Sequence, residues 1–214
     1  MIIRAVFTFT LMLLVSACGS MKPIPADTFY RLEKMTDAAT AGVSPWPVKN
    51  IVIKRIRANG IYKDRALAMM KSDGVSLVQS KYHYWNESPE IMLQERLYQH
   101  VVAHKLAPHV SLEMTEEGAH VISGRLLRFE KVDTGTGAGA VAIELLLAVH
   151  SQDGETTQTF SQSYQFSEAL QTSEMGEAVK SLSAGLDSLI TQFLSQAGPA
   201  MKAKLTSLGA NSET

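Results

Sequence analysis

Apolar positions along the chain repeat with two different periods, and the switch between them separates strands from helices. The plainest period-two stretch holds Val141, Ile143, Leu145, Leu147 and Val149, which places all of them on one face of a strand. Asp153-Gly154 then signals a hairpin turn into Thr156–Ser167, where Phe160, Tyr164 and Phe166 share one face against Thr159, Ser161, Ser163 and Gln165. Upstream, the β-branched run Val48–Arg57 lies between Pro47 and Gly60 and predicts another strand. Further strands are expected at Thr28–Lys34, Val75–Tyr84 and Val110–Met114, and Tyr62–Met70 is compatible with a short one. The segment 36–47, rich in Ala, Thr, Gly, Ser and Pro, reads as a loop. Ala119–Val132 follows the turn Glu116-Glu117-Gly118; its alternation slips near Leu126-Leu127, so a bulge is expected there.

Two segments follow the helical period instead. Ser88-Pro89-Glu90 combines a cap residue, proline at the first helical position and an acid in the first turn. Leu93, Leu97, Tyr98 and Val101 then form one apolar side, and Leu106-Ala107-Pro108 closes the segment. Ser173–Gln196 is longer, with Met175, Val179, Leu182, Leu186, Leu189, Ile190 and Phe193 on one stripe. Gly198-Pro199 is expected to stop it, with a short helical tail over 200–208 and a disordered end over 209–214. The sum is a single-domain α+β fold: a largely antiparallel or mixed sheet with two main amphipathic helices packed on one face.

The chain begins differently. Arg4 precedes a mostly apolar run from Ala5 to Val15, and small residues follow at Ser16 and Ala17. That run is short of the roughly 20 residues a spanning helix needs and has the build of a secretory signal peptide. Val15-Ser16-Ala17-Cys18 resembles the lipobox of bacterial lipoproteins, with the single cysteine of the chain at the acceptor position. Residues 1–17 are thus expected to be removed, and Cys18 to become the lipid attachment site, carrying a covalent diacylglycerol and an N-acyl chain. Residues 18–27 form a tether containing Pro23 and Pro25, which reaches at most roughly 30 Å when extended. The folded domain is expected over 28–208. Gly19-Ser20 lacks the aspartate that commonly retains lipoproteins at the inner membrane, as in lipoproteins sorted to the outer membrane.

Composition removes several functions. The 214 residues carry a formal net charge of −1, and no basic patch of the kind nucleic acid requires is visible. With its one cysteine assigned to lipid, the domain has neither disulfide nor thiol chemistry. His100 and His104 have the spacing of a helical zinc pair, but position 101 is Val and no third ligand follows, so a packed or surface pair is the better reading. Gly135, Gly137 and Gly139 lack the Lys-Ser/Thr of a phosphate loop and read as a hairpin connection. Ser181-Leu182-Ser183-Ala184-Gly185 lies mid-helix, unlike a hydrolase elbow, and Glu116-Glu117 reads as a solvated turn. No catalytic, metal or cofactor site is expected. The aromatic cluster Tyr82, Tyr84 and Trp85 is left with two readings: core packing, or a surface for a partner.

Tyr30-Arg31-Leu32, Val48-Lys49-Asn50-Ile51-Val52-Ile53, Lys63-Asp64-Arg65 and above all Tyr82-His83-Tyr84-Trp85-Asn86-Glu87-Ser88-Pro89 resemble the ABC-type transport auxiliary lipoproteins, the PqiC/YmbA-like family. The family commonly has an Arg-Trp-Ala-Glu-x-Pro-like turn into its helix; here Tyr84 and Asn86 stand where Arg and Ala are usual. The resemblance implies a non-catalytic periplasmic lipoprotein anchored in the outer membrane. Its partner would be an MCE-type protein that forms a phospholipid tunnel between the membranes, and a homo-oligomeric ring is a further expectation. The alternative is a lipoprotein that assists lipopolysaccharide or outer-membrane protein assembly. An envelope hydrolase is the least supported class.

Overall fold

In the computed structural model, which describes residues 24–35, 42–112, 119–153 and 156–211, the period-two stretches form one mixed sheet of eight strands. In chain order these are β1 (Thr28–Tyr30), β2 (Asn50–Ala58), β3 (Ala66–Met70), β4 (Leu77–Trp85), β5 (His109–Leu112), β6 (His120–Val132), β7 (Ala140–Asp153) and β8 (Thr156–Ala169). A 3-10 turn at Gly60–Lys63 precedes β3, and the helices are α1 (Pro89–Ala103) and α2 (Met175–Asn211). The leader, Cys18 and most of the tether lie outside the described residues, as do the turn at 116–118 and part of the loop expected at 36–47.

β6 and β7 pair antiparallel from His120↔Ser151 to Val132↔Ala140, and β7 and β8 pair in the same sense up to Asp153↔Thr156. The opposite edge of β6 is shared. Its first half pairs in parallel with β2, and its last residues pair in parallel with β3. The expected slip is a bulge: Leu126 faces Leu145, but Arg128 faces Glu144, so Leu127 is the extra residue. Before it the inward positions are even (Ile122, Leu126), and after it they are odd (Phe129). A strict period of two cannot give that change, which is why the alternation looked broken in the sequence.

Both helices cover the same face. Leu93, Leu97 and Val101 of α1 join Ile51, Ile53 and Ile56 of β2, while Leu182, Leu186, Leu189 and Phe193 of α2 meet Val141, Ile143, Leu145 and Val149 of β7. Gly185 of α2 lies directly against the Phe166 ring, a space any side chain would fill. Ser88 occupies the cap position of α1, yet its side chain makes no capping hydrogen bond; its carbonyl accepts from Ile91 and Met92 instead.

The stop expected at Gly198-Pro199 does not occur. α2 continues through Pro199 to Asn211. Packing explains the continuation: Ala197 and Met201 extend the buried stripe past the proline, and Trp46 lies on the space left by Gly198. The Trp46 indole N–H donates to the Leu194 carbonyl at 3.3 Å, in the turn where a proline weakens the helix's own hydrogen bonds. The first strand is also shorter than Thr28–Lys34, because β1 has a partner only as far as Tyr30↔Trp85.

Trp46 also meets His120, with ring centroids 6.2 Å apart. His120 is buried, its Nδ1 has no hydrogen-bond partner among the described residues, and burial lowers its pKa below the ordinary value. The unfolded chain therefore takes up this proton more readily than the folded one, so stability is unaffected above the ordinary value near 6.5 and falls as pH drops below it. Denaturant midpoints measured from about pH 7 to about pH 5 should fall less in His120→Gln than in the parent.

Candidate functional site

The residues nearest the tether are fixed at several points. Thr28, Phe29 and Tyr30 pair in parallel with His83, Tyr84 and Trp85 at the end of β4, and the Tyr30 carbonyl accepts from the Asn86 N–H at 2.7 Å. Beyond β1 the chain crosses the seam between the helices as a strap, residues 31–35. There the Glu33 N–H donates to Ser183 Oγ at 3.1 Å, and its carbonyl accepts from Arg96 Nη2 at 2.7 Å. Arg96 in turn grips Asp187 of α2 through both carboxylate oxygens, Nε to Oδ1 at 2.6 Å and Nη2 to Oδ2 at 3.0 Å. His100 Nε2 lies 3.0 Å from the same Oδ1, and its ring stacks on His104 at 5.9 Å.

This network is buried: Arg96 is 4% exposed and Asp187 13%. A guanidinium removed from water is tolerated only when paired, and the bidentate carboxylate with the Glu33 carbonyl supplies that pairing. The expected helix face of Leu93, Leu97, Tyr98 and Val101 did not include Arg96 and His100, which lie one turn apart on the side facing α2. A charged residue at 187, between Leu186 and Leu189, was the signal in the sequence.

The aromatic cluster divides by face. Trp85 is 1% exposed and stacks on Phe129 with centroids 5.2 Å apart, so it belongs to the core. Tyr82 and Tyr84 occupy the alternate positions of β4 and are half-buried. The Tyr84 hydroxyl donates to the Lys81 carbonyl at 2.6 Å, and its ring lies 5.7 Å from Phe29, which is 57% exposed. Arg65 caps Phe29 with its guanidinium carbon 5.4 Å from the ring centre and donates from Nε to the Trp85 carbonyl at 3.0 Å. An accessible layer of Arg65, Phe29 and Tyr84 thus sits beside the start of the folded chain. On the other side of the strap, Leu32, Met35, Tyr98, Val102 and Val179 line part of a groove of about 1200 Å³.

His100 has an acid partner as a catalytic base would, but it is 0% exposed and its Nδ1 meets no hydrogen-bond partner among the described residues. Ser181 bonds Glu168, and Ser183 donates to the Val179 carbonyl while accepting from Glu33. Gly135, Gly137 and Gly139 connect β6 to β7 with positive φ; a Cβ at Gly139 would lie 2.5 Å from the Val132 carbonyl oxygen. Among the described residues no three His, Cys, Asp or Glu side chains converge as a metal site requires. No helix among them is long and apolar enough to cross a membrane. Asp187→Ala should lower stability by about 3 kcal/mol by leaving Arg96 buried and unpaired. Urea unfolding should read this as a lower midpoint with an unchanged slope.

No curated protein matches the chain in sequence. Among solved structures it is similar to a Xanthomonas campestris protein of the DUF330 family, with a TM-score of 0.69 and 13% identity over 84% of this chain and 99% of that one. A second crystal structure, of an uncharacterized protein, gives 0.61 and 15% identity over 79% and 97%. The PelC dodecamer from Paraburkholderia phytofirmans gives 0.44 and 13% identity over 72% and 89%, too remote for its assembly to be carried over. The first two share the fold. The sequence model of the ABC-type transport auxiliary lipoprotein component matches residues 30–193, from the strap to the buried stripe of α2. The chain therefore belongs to the ABC-type transport auxiliary lipoprotein family.

Proposed function

We propose that the protein is held to the periplasmic face of the outer membrane by acyl chains on Cys18. From there it docks onto the MCE-type tunnel protein of a phospholipid transport system, acting by binding and not by turnover. One observation carries the reading: the family match begins at Tyr30, a short tether after the lipobox cysteine, and covers β2 to β8, α1 and α2 as far as Phe193. The strap is consistent with it. β-pairing and the Arg96–Glu33 hydrogen bond transfer any pull on the tether to the whole domain, so an anchor at Cys18 would position the domain and not merely retain it.

Phe29, Tyr82 and Tyr84 are the partner-facing positions in this reading; Trp85 supports them from the core. Self-association into a ring has a structural opportunity in β8, whose outer edge has no partner strand among the described residues.

Labelled palmitate should enter the parent protein and not Cys18→Ala, and that variant should move from the membrane to the soluble fraction. Retention of the label by Cys18→Ala would place the anchor elsewhere. A photo-crosslinking residue at position 84 should capture an MCE-type protein, whereas capture of outer-membrane assembly proteins alone would contradict the docking role.

A further inference from the structure

The sheet face turned away from the helices carries an electrostatic arrangement that the fold does not require. Arg57 of β2 and Arg125 of β6 are in register on neighbouring parallel strands, roughly 4.8 Å apart along the backbone. Both are exposed, and neither forms a hydrogen bond or ion pair with another described residue. Like charges held side by side on a sheet cost stability. Two other arginines of this domain are paired with acids: Arg96 with Asp187, and Arg128 with Glu130. Glu144, the acid on the same face of β7, stands across from Arg128 and not from Arg125.

The neighbourhood of the pair is concave and amphipathic. β7 places Leu146 across from Arg125 and Ala148 across from Ser123, and both apolar side chains are half-buried. With Lys54 and Arg55 these residues line a cavity of about 650 Å³, and no acid is among its lining residues. That volume lies within the range usual for small-molecule sites, about 300–1,000 Å³. Two adjacent guanidinium groups can each present paired N–H donors to one phosphate, a geometry an ammonium cannot reproduce.

We propose that this cavity binds the phosphodiester headgroup of a phospholipid, with Arg57 and Arg125 on the phosphate and Leu146 and Ala148 against the adjoining hydrocarbon. The inference rests on the lipid-transport reading and adds a direct lipid contact to it. Inorganic phosphate shares the anionic chemistry but has nothing to place on Leu146.

The test uses the acylated full chain in maltoside micelles, titrated with dihexanoyl phosphatidylglycerol, with dihexanoylglycerol and with inorganic phosphate. Saturable binding is expected for the phospholipid alone. It should weaken at least tenfold in Arg57→Gln/Arg125→Gln and by less in Arg125→Lys, which keeps the charge and loses the paired donors. Unfolding midpoints of the variants check that the domain is intact, and Arg125→Lys keeps the test valid if the double variant fails to fold. Equal phospholipid binding by parent and variants overturns the proposal, as does inorganic phosphate binding as tightly as the phospholipid. Co-purification with transporter proteins, scored on the same preparations, separates the two readings. A parent that co-purifies but does not bind phospholipid overturns this inference alone, and if the double variant then also loses its partner, the face belongs to an acidic protein surface. Arginine-dependent phospholipid binding without co-purification overturns the docking role and supports the site.

Discussion

One strand carries pairing that three others depend on. β6 is hydrogen-bonded to β7 along its whole length, while its other edge is divided between β2 and β3. That division is how a single sheet accommodates short parallel strands from the first half of the chain and long antiparallel hairpins from the second. The bulge at Leu127 makes it work, because it moves the inward positions from even to odd between the two partners. Without it, either Ile122 and Leu126 or Phe129 would face away from the helices. The core under α1 and the core under α2 are continuous through this strand.

The helices need a second constraint. Apolar stripes bring them onto the sheet, but stripes are non-directional and do not fix where the polar chain before β2 should run. The Arg96–Asp187 pair does so by geometry, since the Arg96 Nη2 that donates to Asp187 Oδ2 also donates to the Glu33 carbonyl. A buried ion pair is weak evidence for stability in general. Here its contribution is placement: it ties α1, α2 and the segment leading from the tether into one body. If Cys18 carries the anchor proposed for it, this network is the part of the fold that would couple anchor to domain.

Most of the architecture was legible because it follows from periodicity. The stripes 141–149 and 175–193 named the best strand and the long helix, and the slip at Leu126-Leu127 pointed to the bulge. Local signals failed where packing outweighed them. Pro199 reads as a stop, but Ala197 and Met201 bury beside it and Trp46, far away in sequence, packs against Gly198. The aromatic cluster was legible as a cluster and not as two faces; that needed the strand's orientation, which sends Trp85 to Phe129 and Tyr84 to Phe29. The Arg96–Asp187–His100 network joins positions on two helices, and no single-chain spacing rule finds such a set. The Arg57–Arg125 pair depended on the register of two distant strands for the same reason.

In the role proposed for it the protein holds position: acyl chains on Cys18 would anchor a short tether, a strap locked to both helices leads into the domain, and surfaces are left for partners. The most direct measurement is the identity of what leaves the membrane with it. Affinity isolation of the full acylated chain from gently solubilised membranes, read by mass spectrometry, should recover an MCE-type protein with its transporter components in amounts comparable to the bait. Recovery of lipopolysaccharide or outer-membrane protein assembly factors, with the MCE-type protein absent, would contradict the account.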